Sequence, residues 1–146
     1  MRIAVLNGPN LNLLGTREPA LYGSTTLAEI EARLRDVARE LRVEIECAQH
    51  NGEGALIDAI QALRGRADAA IINAGAYSHT SLAIRDAFAA VEIPFVEVHL
   101  TNIFAREPER RHSTLAPGAR AVLCGFGATG YELALRGLAA TLSSRV

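Results

Sequence analysis

Arg17 and Tyr22 lie five positions apart in a stretch, from Asn7 to Gly23, that reads NGPNLNLLGTREPALYG. A short apolar run ends where this Gly-, Pro- and Asn-rich stretch begins, and a long loop directly after a strand often carries function. A phenol ordinarily ionises at about pH 10, and a nearby cation favours its ionised form. The pair therefore predicts a tyrosine that acts as a base near neutral pH. Arg17 is the local cation, and Arg106 or Arg110 could serve across the site.

A carboxylate and an imidazole form a second candidate pair at the end of a later apolar run. Glu97 and His99 are two positions apart, so both side chains point to the same face of a strand. A carboxylate beside an imidazole fixes its tautomer and stabilises its protonated form, which suits a general acid. The alternative interpretation is a solvated polar edge.

Further polar residues follow the same apolar runs. They are Asn7, Asn10, Asn73, His79, Thr101, Asn102, Arg106, Arg110 and Arg111. Three kinds of candidate also have a structural interpretation. Tyr22 could be a packing residue, the arginines could form surface ion pairs, and His79 could contact the helix that starts near Ser81. Their convergence from several loops favours one functional site.

Composition excludes several function classes. The 15 lysine and arginine residues are all arginine, so lysine Schiff-base chemistry and a P-loop lysine are impossible. The net charge is −1, which argues against a nucleic-acid partner. No His, Cys and carboxylate spacing resembles a metal site. No run is long enough to span a membrane and the N-terminus lacks a signal-peptide pattern, which predicts a cytoplasmic protein.

Hydrophobic periodicity predicts five strands that alternate with four helices. The strands are Arg2–Leu6, Val43–Ala48, Ala69–Asn73, Pro94–Val98 and Ala119–Cys124. The helices pass through Leu27–Leu41, Ala55–Leu63, Leu82–Val91 and Ala128–Leu142, the first opened by a capping box of Thr26 and Glu29. This alternation predicts one α/β domain over residues 1–146, a flavodoxin-like three-layer sandwich with a parallel sheet of order 2-1-3-4-5. Ligands of such sheets bind at the carboxyl ends of the strands.

A G-x-G-x-x-G pattern spans Gly125 to Gly130, between a predicted strand and a helix. A dinucleotide-binding fingerprint opens a βαβ unit and has an acidic residue about 20 positions further on. No further strand is predicted after Gly130. A tight strand-to-helix turn is therefore the preferred interpretation, and a nucleotide- or flavin-binding module is the alternative.

Four motifs in order resemble type II 3-dehydroquinate dehydratases over essentially the whole chain. They are Asn7–Pro19 with Tyr22–Gly23, Asn73–Ser81, Glu97–Asn102, and Arg106 with Arg110–Ser113. The resemblance implies a hydro-lyase that converts 3-dehydroquinate to 3-dehydroshikimate through an enolate, in the shikimate pathway or in quinate catabolism. It implies no cofactor and no metal, and a homododecamer built as a tetramer of trimers. The absence of lysine agrees, because the unrelated type I enzymes act through a lysine imine.

The resemblance also implies a role for each matching residue. Tyr22 would be the base, Arg17 would hold the tyrosinate, His99 oriented by Glu97 would be the acid, and Asn10 would hold a water. Asn73, His79, Arg110 and the backbone at Leu100 and Thr101 would bind the substrate, Arg106 would help to close the site, and Asp86 would reach a neighbouring subunit. Thr101, His50 and Gly52 depart from the expected pattern. The stretch from Leu14 to Gly23 is similar to a lid with glycine hinges.

An enzyme, a nucleotide-binding module and a structural interaction module are the three functional hypotheses. A simple nucleotide binder has no need of the polar set after strands 1, 3 and 4. An interaction module does not account for Arg17, Tyr22 and His99 together. The enzyme hypothesis is therefore preferred.

Overall fold

Five parallel strands form one sheet in a computed structural model that describes residues 1–144. The strands are β1 (Arg2–Asn7), β2 (Glu44–Gln49), β3 (Ala69–Asn73), β4 (Phe95–His99) and β5 (Ala121–Cys124). Their order is β2-β1-β3-β4-β5, which confirms the predicted flavodoxin-like sheet. The last strand begins two residues later than predicted, and the last two residues of the predicted 1–146 domain lie outside the described residues.

Within residues 1–144, five α-helices connect or flank these strands. They are α1 (Pro19–Tyr22), α2 (Leu27–Leu41), α3 (Glu53–Gln61), α4 (Leu82–Val91) and α5 (Thr129–Ser143). The predicted capping box is present, because the Thr26 side chain accepts from the Glu29 N–H while the Glu29 carboxylate accepts from the Thr26 N–H. The four long helices were predicted, and the single turn α1 was not. No helix in the described part of the chain is long and apolar enough to cross a membrane.

Helices cover both faces of the sheet. Helices α2 and α5 pack together on one face, and α3 and α4 pack together on the other. Every residue of β3 and β4 is buried, because a central parallel strand has helices above and below it. The carboxyl ends of β1, β3 and β4 lie side by side, and the loops that follow them meet at one edge.

Candidate active site

A cavity of about 130 Å³ lies at the carboxyl ends of β1, β3 and β4. Ten of the predicted site residues line it, namely Asn10, Arg17, Tyr22, Asn73, His79, His99, Leu100, Thr101, Arg106 and Arg110. A larger cavity of about 270 Å³ lies at the amino ends of β1 and β2 and contains none of the predicted site residues. We assign the site to the smaller cavity, because the predicted acid, the predicted base and several arginine side chains line it together.

Two guanidinium groups flank the Tyr22 ring. The Arg17 Cζ lies 5.1 Å from the ring centroid and the Arg106 Cζ lies 5.4 Å from it. The hydroxyl accepts a hydrogen bond from the Arg106 Nη1 at 3.0 Å. The Arg17 Nε lies 3.7 Å from a carboxylate oxygen of Glu18. The hydrogen bond to the phenolic oxygen thus comes from Arg106, the more distant residue in sequence.

The short helix α1 presents this tyrosine. Pro19 occupies its first position, where a missing N–H costs nothing. Gly23 ends it with a φ of +82°, a conformation that a residue with a side chain rarely adopts. Tyr22 therefore lies on the last turn of a helix whose start and stop are both encoded locally.

Glu97 and His99 form the predicted pair at the end of β4. The Nε2–H of His99 donates to the Glu97 Oε1 at 2.6 Å, with the two side chains 6% and 0% exposed. The Ser113 hydroxyl contacts both carboxylate oxygens, at 2.7 and 2.8 Å, and accepts from the N–H groups of Leu115 and Ala116. Glu97 lies behind the imidazole and does not line the cavity. The Nδ1 of His99 is left for a ligand.

Sequence reasoning missed the role of Ser113. The residue stood in one of the four motifs, but nothing in its local pattern pointed to a carboxylate. A buried glutamate requires hydrogen-bond partners, and this requirement is the signal that could have prompted a search for a nearby hydroxyl.

His79 contacts a second histidine rather than a helix end. Its Nδ1–H donates to the His112 carbonyl at 2.7 Å, and the Nε2–H of His112 donates to the His79 carbonyl at 2.9 Å. The α4 N-terminus is instead capped by the Ser81 side chain, which accepts from the Ile84 N–H. Burial lowers the pKa of His79, and the nearby His99 and Arg110 add to this effect. His79 therefore favours its neutral form.

The two cavity histidines lie against each other. The His79 and His99 rings stack with their centroids 5.8 Å apart and an interplanar angle of 18°. A neutral His79 adds no positive charge beside the His99 ring. This arrangement suits one imidazole as a hydrogen-bond partner and the other as an acid.

Asn10 is held by a network that the sequence did not predict. It has a φ of +69°, and its N–H donates to the Asn51 Oδ1 at 3.0 Å. The Asn51 Oδ1 also accepts from the Gln49 side chain at 3.0 Å, and the backbone carbonyl of Asn51 accepts from the Tyr77 hydroxyl at 2.8 Å. The loop after β2 thus fixes the backbone that carries Asn10 to the cavity.

Asp86 is the remaining predicted site residue. It lies exposed on α4 and is not among the residues that line the cavity. Its predicted role concerns another subunit, so a single chain does not test it. Residues 1–144 contain no group of three or more His, Cys, Asp or Glu side chains that could hold a metal ion.

The Gly125–Gly130 pattern forms the turn between β5 and α5. Gly125 and Gly127 have φ values of +92° and +58°, and the Gly127 N–H donates to the Leu100 carbonyl at 2.9 Å. In the described residues no strand follows α5. The preferred interpretation as a strand-to-helix turn is confirmed.

A sequence model of the family described as Dehydroquinase class II matches residues 1–139. The chain belongs to this class II dehydroquinase family. The 3-dehydroquinate dehydratase of Gemmatimonas aurantiaca is 63% identical over 142 residues, which cover 97% of this chain and 93% of that protein. The catabolic 3-dehydroquinase of Verticillium alfalfae is 56% identical over 134 residues, covering 92% and 89% of the two chains.

A solved structure confirms the class II dehydroquinase fold of the chain. The type II dehydroquinase from Propionibacterium acnes superposes with a TM-score of 0.91 at 42% identity. The match covers 95% of this chain and 96% of that one. Almost the whole chain therefore shares the fold of that enzyme.

Proposed function

We propose that this protein is a hydro-lyase that removes water from 3-dehydroquinate, by anti elimination through an enolate, to give 3-dehydroshikimate. The observation that carries the proposal is one cavity lined by a phenol bonded to a guanidinium and by an imidazole bonded to a buried carboxylate. The relatives named 3-dehydroquinate dehydratase support the substrate. Without lysine, the ketone is activated by charge and hydrogen bonds and not by an imine.

Tyr22 takes the proton next to the ketone in the first step. The C–H bond breaks and its electron pair moves onto the ketone oxygen, which gives the enolate. Arg106 donates to the phenolic oxygen at 3.0 Å, and the guanidinium of Arg17 lies over the ring. Both positive charges lie where they would stabilise negative charge on the phenolic oxygen. Asn10 supports a water that stabilises the enolate oxygen.

His99 gives a proton to the departing hydroxyl in the second step. The enolate electrons re-form the ketone, the new carbon–carbon double bond forms, and the C–O bond breaks to release water. The buried Glu97 carboxylate balances the imidazolium charge and holds the ring with its Nε2–H. An acid anchored to a fixed carboxylate remains directed toward the cavity.

The remaining cavity residues bind the substrate. Asn73 and His79 offer polar atoms to its hydroxyl groups, and Arg110 and the backbone at Leu100 and Thr101 bind its carboxylate. Arg110 provides a positive charge that attracts the anion. Movement of the segment that carries Tyr22 closes the site over the bound substrate.

The proposal includes assembly into a homododecamer, with Asp86 contributing to a neighbouring subunit's site. Large apolar side chains remain exposed on the single chain, among them Leu82 at 61%, Phe104 at 61% and Phe126 at 59%. Light scattering should give twelve times the 15.6 kDa subunit mass; a stable monomer would contradict the assembly. The predicted cytoplasmic location can be tested by fractionating cells that express the protein.

The test of the reaction adds 3-dehydroquinate and follows the ultraviolet absorbance of the conjugated enone product. No enone would overturn the proposed function. Tyr22→Phe should abolish turnover while substrate binding is retained, and His99→Ala should impair dehydration. His50→Gln, which changes a histidine outside the cavity, is the matched control and should turn over normally. Borohydride should leave activity intact, because no imine forms.

A further inference from the structure

Tyr131 places a buried hydroxyl directly behind the cavity. Its side chain is fully buried near the start of α5. The hydroxyl donates to the Asn7 Oδ1 at 2.6 Å and accepts from the Asn73 Nδ2 at 3.0 Å. Burial raises the pKa of Tyr131 well above the ordinary phenol value. The group therefore remains a hydroxyl, with one proton to donate.

The direction of these hydrogen bonds fixes the Asn73 carboxamide. Because the single hydroxyl proton goes to Asn7, the Tyr131 oxygen can only accept, and Asn73 must present its NH₂ group there. At the other end of the amide, the Gly75 N–H donates to the Asn73 Oδ1 at 3.2 Å. Both bonds require the same amide orientation. The second hydrogen of Nδ2 remains free, and Asn73 lines the cavity.

The Gly125–Gly130 turn brings Tyr131 within reach of these two asparagines. A Cβ on Gly130 would lie 3.5 Å from the Val98 Cγ1, an ordinary van der Waals distance, so α5 packs closely against β4 at this turn. The hydrogen bond from the Gly127 N–H to the Leu100 carbonyl ties the same turn to the cavity wall. The glycine pattern thus has a structural role at the site.

We propose that Tyr131 is a positioning residue for the reaction. Its hydroxyl orients the Asn73 amide so that a fixed N–H donor faces the cavity, which selects a hydroxyl or carboxylate oxygen of the substrate as the acceptor. The inference rests on the proposed function and deepens it. Tyr131 touches no reacting atom and acts only through Asn73.

The test compares Tyr131→Phe with the wild type in the enone assay. Phenylalanine keeps the ring but leaves the Asn7 oxygen and the Asn73 NH₂ group without this partner. A lost binding interaction that is equal in ground and transition states raises KM and spares kcat. Loss of one oriented hydrogen bond should raise KM by about 5- to 20-fold, with kcat within about threefold of the wild type. An unchanged KM in an active enzyme would overturn the inference.

Two further variants separate positioning from stability. Leu135→Ala, which truncates a buried apolar side chain one turn along α5, should lower Tm without raising KM. The double variant Asn7→Leu with Tyr131→Phe replaces both partners of one bond by apolar groups, which restores much of the stability. Its KM should nevertheless remain high.

Four outcomes would contradict the proposal. Recovery of KM together with Tm in the double variant, or an equal rise of KM in Leu135→Ala, would reduce Tyr131 to a stabilising residue. An inactive wild type would overturn the proposed function and this inference with it. An active wild type with an unchanged Tyr131→Phe KM would overturn this inference alone.

Discussion

Replacing Arg106 by methionine should remove the cation that the structure places on the phenolic oxygen of Tyr22. The Arg106 side chain is only 14% exposed, and its Nη1 lies 3.0 Å from the Tyr22 hydroxyl. Methionine keeps an unbranched apolar stem and deletes the guanidinium. The substitution therefore tests the charge beside the proposed base more than the packing around it.

The size of the effect follows from that distance. A unit charge 3.0 Å from a phenolate is worth about 1.4 kcal/mol at the dielectric constant of water and about 5.5 kcal/mol at an effective value of about 20. The guanidinium and the tyrosine are both partly buried, so a loss between these two limits, about 2–4 kcal/mol, is expected. The corresponding decrease in kcat is about 30- to 1,000-fold.

The assay measures initial rates of enone formation at saturating 3-dehydroquinate. Arg136→Met is the matched control, because it deletes a guanidinium that contacts Glu40 on the surface. Arg106→Lys keeps the charge but not the planar geometry and should recover part of the rate. A kcat for Arg106→Met within threefold of the control would refute the assignment of Arg106 to the phenolic oxygen.

The remaining predictions concern the support of the site. Ser113→Ala should lower the free energy of unfolding by about 2 kcal/mol, because it removes a hydrogen bond to the buried Glu97 carboxylate. It should reduce kcat less than Glu97→Gln does, because the carboxylate keeps its imidazole partner. Chemical denaturation and initial rates measure the two effects, and an unchanged free energy of unfolding would contradict the contact. Gly8→Ala should lower the free energy of unfolding by about 2 kcal/mol or more, since its Cβ would lie 2.5 Å from a backbone oxygen. Gly54→Ala in α3, where no atom lies close to the added Cβ, should raise the stability slightly. Equal Tm values for the two variants would refute this prediction. Burial lowers the pKa of His79 in the folded protein, so this side chain binds more protons in the unfolded protein, and the free energy of unfolding should fall as pH decreases from 7 to 5.5. Urea titrations at the two pH values should show a smaller fall for His79→Gln than for the wild type. An identical fall would exclude His79 as its source.

The helices and strands could be predicted from the sequence because their signals are local. The apolar stripe of Leu27–Leu41 repeats with the period of a helix, and the run at Ala69–Asn73 has the length of a strand covered on both faces. The single turn Pro19–Tyr22 was not predicted, because four residues are too few to show a period. The pair at Glu97 and His99 was predicted because the two-residue repeat of a strand puts both on one face.

The absence of lysine and the order of polar residues after the strands were determined by the sequence alone, and they restricted the chemistry to charge and hydrogen bonds. The tertiary structure decided which partners touch. Arg106 reaches Tyr22 across 84 positions, and Tyr131 reaches Asn7 across 124. No local pattern encodes such contacts, because they depend on how loops from different strands pack at one edge. The periodicity of the sequence determines the face of a helix or strand on which a side chain lies. Only the packed sheet and helices determine which polar atom lies within hydrogen-bond distance of that side chain, about 3 Å.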